Sequence, residues 1–223
     1  MKSYSLLDCS NNPIDLRLDK LFNKDNGFYI ELGANDGLKQ SNTAFFEFFR
    51  NWNGILIEPS QSAFEKCKIN RPKSNCYWNA CVSNEYLDEF IYGDFDSNLM
   101  SSVNGVRKQG RKIDIKHLKK VPATTLEKIL NEEKIIEKNI KIDFLSLDTE
   151  GYELNILKGI NLNLYRPKYM LIEVYNFDFD NICKFLKENE YNLLCNFSNY
   201  SKKTNHLWDG THNDYLFVDS RLD

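Results

Sequence analysis

The stretch that decides the fold reads Phe28-Tyr29-Ile30-Glu31-Leu32-Gly33-Ala34-Asn35-Asp36-Gly37. Its first half is a short apolar run, which is typical of a buried strand in a parallel sheet. Its second half is a turn in which Gly33 and Gly37 let the backbone bend tightly and come close to a ligand. The sequence therefore predicts a buried strand that runs directly into a ligand-binding turn.

A helix and a second strand follow and complete a β-α-β unit. The helix is predicted from about Thr43 to Trp52. Its apolar face has the spacing i, i+3, i+4 and i+7 and consists of Phe45, Phe48, Phe49 and Trp52. Asn53-Gly54 ends this helix, Ile55 to Ile57 form the second buried strand, and Glu58 follows at its carboxyl end.

Strand and helix patterns alternate along the rest of the chain. Further strands are predicted near residues 77–82, 88–92, 142–147, 169–174, 191–197 and 215–218, with the second of these as a hairpin partner of the first. Further helices are predicted through about Asn70, at the capping-box pattern Thr124-x-x-Glu127, at Tyr152 to Lys158 and around Phe179 to Leu186. The alternation predicts an α/β fold with a mainly parallel sheet and helices on both faces.

Length, charge and composition limit the class of protein. With 223 residues, the chain is expected to be a single domain, with residues 1–26 as an N-terminal extension and a core at about 27–219. A net charge of -3 gives no field that would gather nucleic acid. The six cysteines lack the spacing of zinc ligands and are expected to be reduced thiols. No apolar run reaches the roughly 18 residues of a spanning helix, and Met1 to Ser10 lacks the pattern of a secretion signal. We therefore expect a cytoplasmic protein without membrane insertion.

Polar residues stand where the predicted strands end. In an open parallel sheet, ligands bind beyond the carboxyl ends of the strands, which are followed here by Glu31 to Gly37, Glu58, Asn79, Asp148 and Glu173. Glu58 comes about 20 residues after Gly37, where an acidic side chain accepts hydrogen bonds from ribose hydroxyls. The turn has the spacing G-x-x-x-G and not the G-x-G-x-x-G of nicotinamide enzymes, so a cofactor with ribose and without phosphate fits better. A nicotinamide-dependent oxidoreductase (NAD type) remains the alternative.

Four motifs, in this order, resemble those of the FkbM-type methyltransferases. They are the opening stretch Phe28 to Gly37, Ser41-Asn42-Thr43, Trp52 to Pro59, and Ile142 to Gly159 with its core Asp148-x-Glu150-Gly151-x-Glu153. The resemblance covers roughly residues 28 to 218. It implies a Rossmann-like class I methyltransferase with a mainly parallel seven-stranded sheet that contains one antiparallel strand.

The same resemblance implies the cofactor and the reaction. The cofactor is S-adenosylmethionine, and its methyl group goes to a hydroxyl, frequently of a sugar in a glycan, a nucleotide sugar or a glycosylated small molecule. A non-catalytic S-adenosylmethionine-binding partner of a glycosyltransferase is the alternative with the same fold.

The resemblance also implies which residues bind the cofactor. They lie in the opening stretch, near Ser41, after the second strand and at the end of the third strand, where the adenine usually lies. The set is Glu31, Gly33, Ala34, Asn35, Asp36, Gly37, Ser41, Glu58, Pro59, Asn79, Ala80 and Cys81. Tyr175 stands where the family often has His, so no role is transferred to that position.

The acceptor half of the site is expected around Asp148, Glu173 and His212. A sugar hydroxyl is a poor nucleophile, so it needs a general base or a divalent metal that lowers its pKa. Asp148 and Glu173, at the ends of neighbouring strands, could bind Mg²⁺ or Mn²⁺, or one of them could be the base. His212, before the last strand, could be a base or a ligand. The structural alternatives are helix capping for Asp148, a buried carboxylate for Glu173 and a turn residue for His212.

Acceptor specificity is expected in the loop Gly93 to Lys112 and at the rim near His212. The end of this loop and the residues after it contain the basic cluster Arg107, Lys108, Arg111, Lys112, Lys116, Lys119 and Lys120. The cluster could face an anionic group of the substrate, or it could be solvated surface.

Overall fold

The structure, a computed structural model, describes residues 2–95, 102–103, 116, 118–203, 206 and 208–221. Within them the elements follow one another as α1 (Ile14–Phe22), β1 (Phe28–Leu32), α2 (Ala44–Phe49), β2 (Asn53–Ile57), α3 (Gln61–Asn70), β3 (Ser74–Tyr77), β4 (Ala80–Cys81), β5 (Phe90–Gly93), β6 (Lys119–Thr124), α4 (Leu126–Glu132), β7 (Phe144–Leu147), α5 (Glu153–Leu157), β8 (Tyr169–Tyr175), α6 (Phe179–Glu188), β9 (Tyr191–Asn196) and β10 (His212–Asp219). None of the helices in these residues is long and apolar enough to cross a membrane.

The main sheet has seven strands in the order β3-β2-β1-β7-β8-β10-β9. Strands β3, β2, β1, β7 and β8 pair in parallel, while β10 runs antiparallel to both β8 and β9. The chain moves outward from β1 to β3 and then returns to the other side of β1, so the strand order reverses between β1 and β7. This arrangement confirms the predicted class I methyltransferase fold, and the reversal point is where an open α/β sheet binds its ligand.

Apolar side chains cover both faces of the sheet. Successive residues of β1 point to opposite faces, so Tyr29 and Ile30 belong to different core clusters. The Tyr29 face is covered by residues from α1, α2 and α3, including Leu18, Phe46 and Cys67. The Ile30 face is covered by residues from α4, α5 and α6, including Ile129, Ile156 and Ile182. The prediction of helices on both faces is thus confirmed.

The predicted helix after the first turn is shorter than expected, and its buried face is different. Helix α2 ends at Phe49, and Phe48 and Phe49 are 43% and 48% exposed, so their predicted burial is wrong. Phe46 is buried in their place. Asn51 adopts a positive φ of 53°, which ends the helix and turns the chain. The Trp52 side chain therefore reaches the core from the turn, and the Trp52 backbone N–H donates to the Phe46 carbonyl.

The predicted third strand is two strands in two sheets. Strand β3 ends at Tyr77, and the Trp78 indole donates to the Pro59 carbonyl at 2.9 Å, which ties the break to the turn after β2. Strand β4 then pairs with β6 in a small sheet of order β4-β6-β5. The predicted hairpin between the third strand and the strand near 88–92 is wrong, because β5 pairs with β6 instead. Strand β6 itself went unpredicted because its lysines and Pro122 are atypical of a strand.

Two smaller details also differ from the prediction. Helix α4 is capped by Thr125, whose hydroxyl accepts from the Lys128 N–H, and not by Thr124, which is the last residue of β6. His212 is the first residue of β10 and does not precede it. The six cysteines are free thiols, as expected.

Candidate functional site

A cleft opens at the carboxyl ends of the strands, where the strand order reverses. It encloses about 810 Å³ of empty space, its open mouth included. Its walls come from residues after β1 (32–41), after β2 (57–59), around β4 (79–81) and after β7 (148–156). Phe95, Ser102 and Val103 complete the lining among the described residues. The cleft therefore lies where an open α/β sheet binds its ligand.

The turn after β1 is shaped by Gly33. Its φ is +80°, and a Cβ at this position would lie 1.9 Å from the carbonyl oxygen of Asp148 at the end of β7. The Gly33 N–H donates to the Ile57 carbonyl at 3.1 Å, which also ties the turn to the end of β2. The positive φ disfavours a side chain at this position, and the clash with the Asp148 backbone excludes one.

Glu58 lies at the end of β2, is buried and lines the cleft. Its carboxylate accepts the N–H groups of Asn35 and Ser60, both at 2.7 Å. Burial raises the pKa of Glu58 to about 7, although these two hydrogen bonds oppose the shift. Glu58 therefore joins the turns after β1 and β2 and still faces the cleft.

Glu31 has a different place from the one predicted. It is buried below the cleft and does not line it. Its carboxylate accepts from the Ser41 hydroxyl at 2.9 Å, the Asn42 N–H at 2.9 Å and the Thr43 hydroxyl at 2.6 Å. Glu31 therefore holds the chain that leads from the turn into α2.

The structure brings most of the predicted cofactor residues to the cleft. Those that line it are Gly33, Asn35, Ser41, Glu58, Pro59, Asn79, Ala80 and Cys81. Those that do not are Glu31, Ala34, Asp36 and Gly37. Asp36 accepts the N–H groups of Leu38 and Lys39, so it shapes the loop from outside the cleft.

Several lining residues were not predicted. They are Lys39, Gln40, Phe95, Thr149, Tyr152 and Ile156, among others. Lys39 and Gln40 lie between two predicted positions of one loop, so extending the predicted range across that loop would have included them. Phe95 follows β5, whose place in the small sheet no local pattern indicates.

Three carboxylates meet beside the cleft, at the ends of β7 and β8. One oxygen each from Asp148, Glu150 and Glu173 lies within 4.8 Å of the others. Asp148 lines the cleft, and Glu173 is buried behind it. The Oε2 atom of Glu173 has no hydrogen-bond partner among the described residues. The predicted convergence of Asp148 and Glu173 is therefore observed, with Glu150 as a third member.

Two side chains from neighbouring strands complete this acidic cluster. The Tyr175 hydroxyl donates to Glu150 at 2.6 Å. His212 Nε2 lies 3.4 Å from Glu173 Oε1, and its ring packs against Tyr175 with a centroid distance of 5.2 Å. His212 thus lies in the first pair of the β8–β10 ladder, opposite Tyr175, and not in a turn.

Two carboxyl groups of the acidic cluster, those of Asp148 and Glu173, have raised pKa values. Dense protein packing and the charges of Asp148 and Glu150 raise the pKa of Glu173 well above its usual range. The same packing and the charges of Glu150 and Asp214 raise the pKa of Asp148, although its side chain is exposed to the cleft. Burial raises the pKa of Asp214, which pairs with Glu173 across β8 and β10, to about 6.

Asp148 is not a helix cap. Helix α5 begins at Glu153, and its N-cap is Tyr152. Glu153 instead accepts from the Thr149 N–H at 2.8 Å and the Gly151 N–H at 3.1 Å, so it stabilises the loop before the helix. Asp148 is left facing the cleft. Of the predicted specificity loop and basic cluster, residues 96–101 and 104–115 lie outside the described part of the chain.

Comparisons with known proteins identify a family to which the chain is similar. A family model described as the methyltransferase FkbM domain matches residues 31–193. No curated protein matches the chain.

Solved structures resemble the chain at low identity. A TehB-like SAM-dependent methyltransferase from Corynebacterium glutamicum is 8% identical, with 92% of this chain and 87% of that chain covered and a TM-score of 0.44. Aeropyrum pernix fibrillarin in complex with natively bound S-adenosyl-L-methionine is 12% identical, with coverages of 87% and 67% and a TM-score of 0.45. An S-adenosylmethionine-dependent methyltransferase from Clostridium acetobutylicum is 11% identical, with coverages of 92% and 89% and a TM-score of 0.45. Values this low indicate nothing about substrate.

Replacing Gly33 by Ala tests the close approach of β1 and β7. Gly33→Ala is expected to lower the free energy of unfolding by about 3 kcal/mol or more, because the new Cβ adds a clash with Asp148 to the cost of a positive φ. Gly210→Ala is the matched control, since Gly210 also has a positive φ but its nearest neighbour, Lys202 Cε, would be 3.9 Å away. Urea unfolding measures both. If the two variants lowered the free energy of unfolding equally, the steric argument would be wrong.

Proposed function

The chain belongs to the FkbM methyltransferase domain family, and from this premise we propose that it transfers a methyl group from S-adenosylmethionine to a hydroxyl of a sugar. The coarser statement, that it is an S-adenosylmethionine-dependent methyltransferase, follows from the family. The observation that supports a hydroxyl acceptor is the acidic cluster of Asp148, Glu150 and Glu173 beside the cleft. A hydroxyl must lose a proton, and these groups offer places for it.

We place the cofactor along the cleft from the turn after β1 to β4. Glu58 is the proposed partner of the ribose hydroxyls, because it is the acidic residue at the end of β2 and it faces the cleft. Asn79, Ala80 and Cys81 form the wall proposed for the adenine. The opposite end of the cleft, at Gly33 and Asp148, is then the place for the methionine part and the methyl group.

Methyl transfer itself asks mainly for alignment. The sulfonium is already a reactive donor, so the protein must hold the acceptor oxygen in line with the bond between sulfur and methyl carbon. The oxygen attacks the methyl carbon, the bond to sulfur breaks with its electron pair, and S-adenosylhomocysteine leaves. The hydroxyl proton goes to a base, for which Asp148, Glu173 and His212 are the candidates. A carboxyl group can act as this base only in its ionised form, and in that form a raised pKa makes it a stronger proton acceptor.

The acidic cluster also fits a divalent cation. Its donors are carboxylate oxygens, which Mg²⁺ and Mn²⁺ prefer. The Oε2 atom of buried Glu173 has no hydrogen-bond partner among the described residues, and burial together with the neighbouring carboxylates raises the pKa values of Glu173 and Asp148, which a bound cation would lower. When bound, such an ion lowers the pKa of a hydroxyl that contacts it. Asp148, Glu150 and Glu173 would hold the ion, and His212 would then be the candidate base.

The activity is tested with S-adenosylmethionine labelled in the methyl group and a panel of glycans, nucleotide sugars and glycosylated small molecules. Mass spectrometry is expected to locate the label on a hydroxyl oxygen, with one S-adenosylhomocysteine formed per methyl. Asp148→Asn should slow the transfer about a hundredfold, the usual effect of losing a positioned acid or base. Transfer to nitrogen or carbon would overturn the hydroxyl acceptor. Binding without any transfer would favour the non-catalytic alternative, and tight NADH binding would favour the oxidoreductase.

The raised pKa of Glu58 predicts a pH-dependent cofactor affinity. The ionised carboxylate is the stronger acceptor for ribose hydroxyls, and it forms as the pH rises through the pKa of about 7. The Kd for S-adenosylmethionine should therefore rise as the pH falls from about 8 to about 6. Glu58→Gln should raise the Kd about tenfold at pH 8 or above and flatten the profile, since hydrogen bonds to charged groups contribute about 1.5 kcal/mol or more.

Calorimetry across this pH range measures the effect. Glu65→Gln, which alters an exposed carboxylate on α3, is the control and should keep the wild-type profile. An unchanged profile in Glu58→Gln would show that another group titrates and would remove the ribose role.

Metal dependence is tested by chelation. EDTA is expected to lower turnover, and added Mg²⁺ or Mn²⁺ should restore it. Asp148→Asn and Glu173→Gln should each weaken Mn²⁺ binding to the free protein at least tenfold by calorimetry, while Asp180→Asn, on the exposed side of α6, should not. Full activity in EDTA would leave Asp148 and Glu173 as base and positioning groups only.

A further inference from the structure

Arg71 follows α3 and is completely buried beneath the loop that leads from β1 to α2. Its guanidinium group has five N–H donors, and each one has an acceptor. The acceptors are the Glu47 carboxylate (3.0 Å), the Gly37 carbonyl (2.8 Å), the Ser41 hydroxyl (3.2 Å), the Tyr29 hydroxyl (2.6 Å) and the Thr43 hydroxyl (2.9 Å). No sequence motif indicated this residue.

The acceptors of Arg71 fall into two groups. Tyr29 and Glu47 belong to β1 and α2, so they anchor the guanidinium group to regular structure. Gly37, Ser41 and Thr43 belong to the loop between these elements. Arg71 therefore connects the middle and the end of the loop to a rigid support.

Charge explains why this arginine can be buried. Glu47 lies 3.0 Å and Glu31 3.6 Å from its guanidinium nitrogens, and both carboxylates are buried. Removing one member of such a group leaves an uncompensated buried charge. Burial alone would raise the pKa of Glu47, but Arg71 and the hydroxyls of Ser74 and Tyr29 lower it.

The same loop forms one wall of the cleft. Lys39, Gln40 and Ser41 line the cleft directly. Gly37, which was expected to contact the cofactor, instead packs on Arg71: a Cβ there would lie 2.7 Å from Arg71 Cγ, and its φ is +80°. Gln40 also has a positive φ, of 60°. A loop with such a backbone needs outside support to keep one conformation.

We propose that Arg71 is a positioning residue for S-adenosylmethionine, which it does not touch. It holds residues 37–43 in the shape that forms the cofactor wall, so the cofactor meets a preformed cleft. This inference rests on the proposed position of the cofactor. Without Arg71 the loop samples other shapes, and part of the binding free energy is consumed in ordering it.

Binding and stability measured on the same variants test the proposal. Arg71→Met should raise the Kd for S-adenosylmethionine about tenfold or more, which is ~1.4 kcal/mol. Arg71→Lys keeps the charge with fewer donors and should recover part of the affinity. The KM for S-adenosylmethionine should rise accordingly, while kcat at saturating cofactor changes less than threefold. Hydrogen exchange should speed up in residues 37–43 of Arg71→Met.

Arg166→Met is the matched control for a purely structural effect. Arg166 pairs with buried Asp219 at the opposite edge of the sheet, away from the cleft. This variant should lower the Tm but leave the Kd within twofold. If Arg71→Met lowered the Tm and likewise left the Kd unchanged, Arg71 would be merely structural and the proposal would be overturned.

The test still distinguishes the alternatives if Arg71→Met does not fold or if the wild-type protein does not bind the cofactor. If Arg71→Met does not fold, Thr43→Val removes the hydroxyl that accepts from Arg71 and donates to Glu31. This variant should still raise the Kd severalfold, and an unchanged Kd would overturn the proposal. If the wild-type protein does not bind S-adenosylmethionine, the proposed function fails first, and that failure is separate from the role of Arg71.

Discussion

The close approach of Gly33 to the carbonyl oxygen of Asp148 is the constraint on which the site depends. The two residues follow β1 and β7, which are distant in sequence and adjacent in the sheet. Because only glycine fits this contact, the turn after β1 and the Asp148 carboxylate meet at one place, and both line the cleft. The reversal of strand order opens the cleft there, and the loops after β1, β2 and β7 become its walls.

Buried acidic residues surround this point, but they are stabilised in two different ways. Glu31 and Glu47 have a resident cation, Arg71, and hydroxyl donors, so their charge supports the loop. Asp148 and Glu173 pair with no lysine or arginine in the described part of the chain, and packing raises the pKa of both. Compensated charge of the first kind is structural, whereas uncompensated charge beside a cleft is typical of a functional site.

The sequence predictions succeeded where the interactions join residues that are close in sequence, and they failed where the interactions join distant residues. The strand and turn of the opening stretch were predicted because their pattern is local, and Asp148 and Glu173 were expected to converge because parallel strands end at one edge. The prediction of the buried face of α2 was wrong, since the positive φ of Asn51 ends the helix early. Strand β6 was missed because its strand character depends on pairing with β4 and β5 and not on its own residues.

The sequence by itself determined the class of fold, the family and the strand ends that carry the site, because periodicity and short motifs are properties of neighbouring residues. Only the tertiary structure decided which of those residues face the cleft. Glu31 and Gly37 turn away from it, Glu150 joins the acidic cluster, and Arg71 supports the loop from below. These roles depend on contacts between segments that are distant in sequence, and packing in three dimensions brings such segments together.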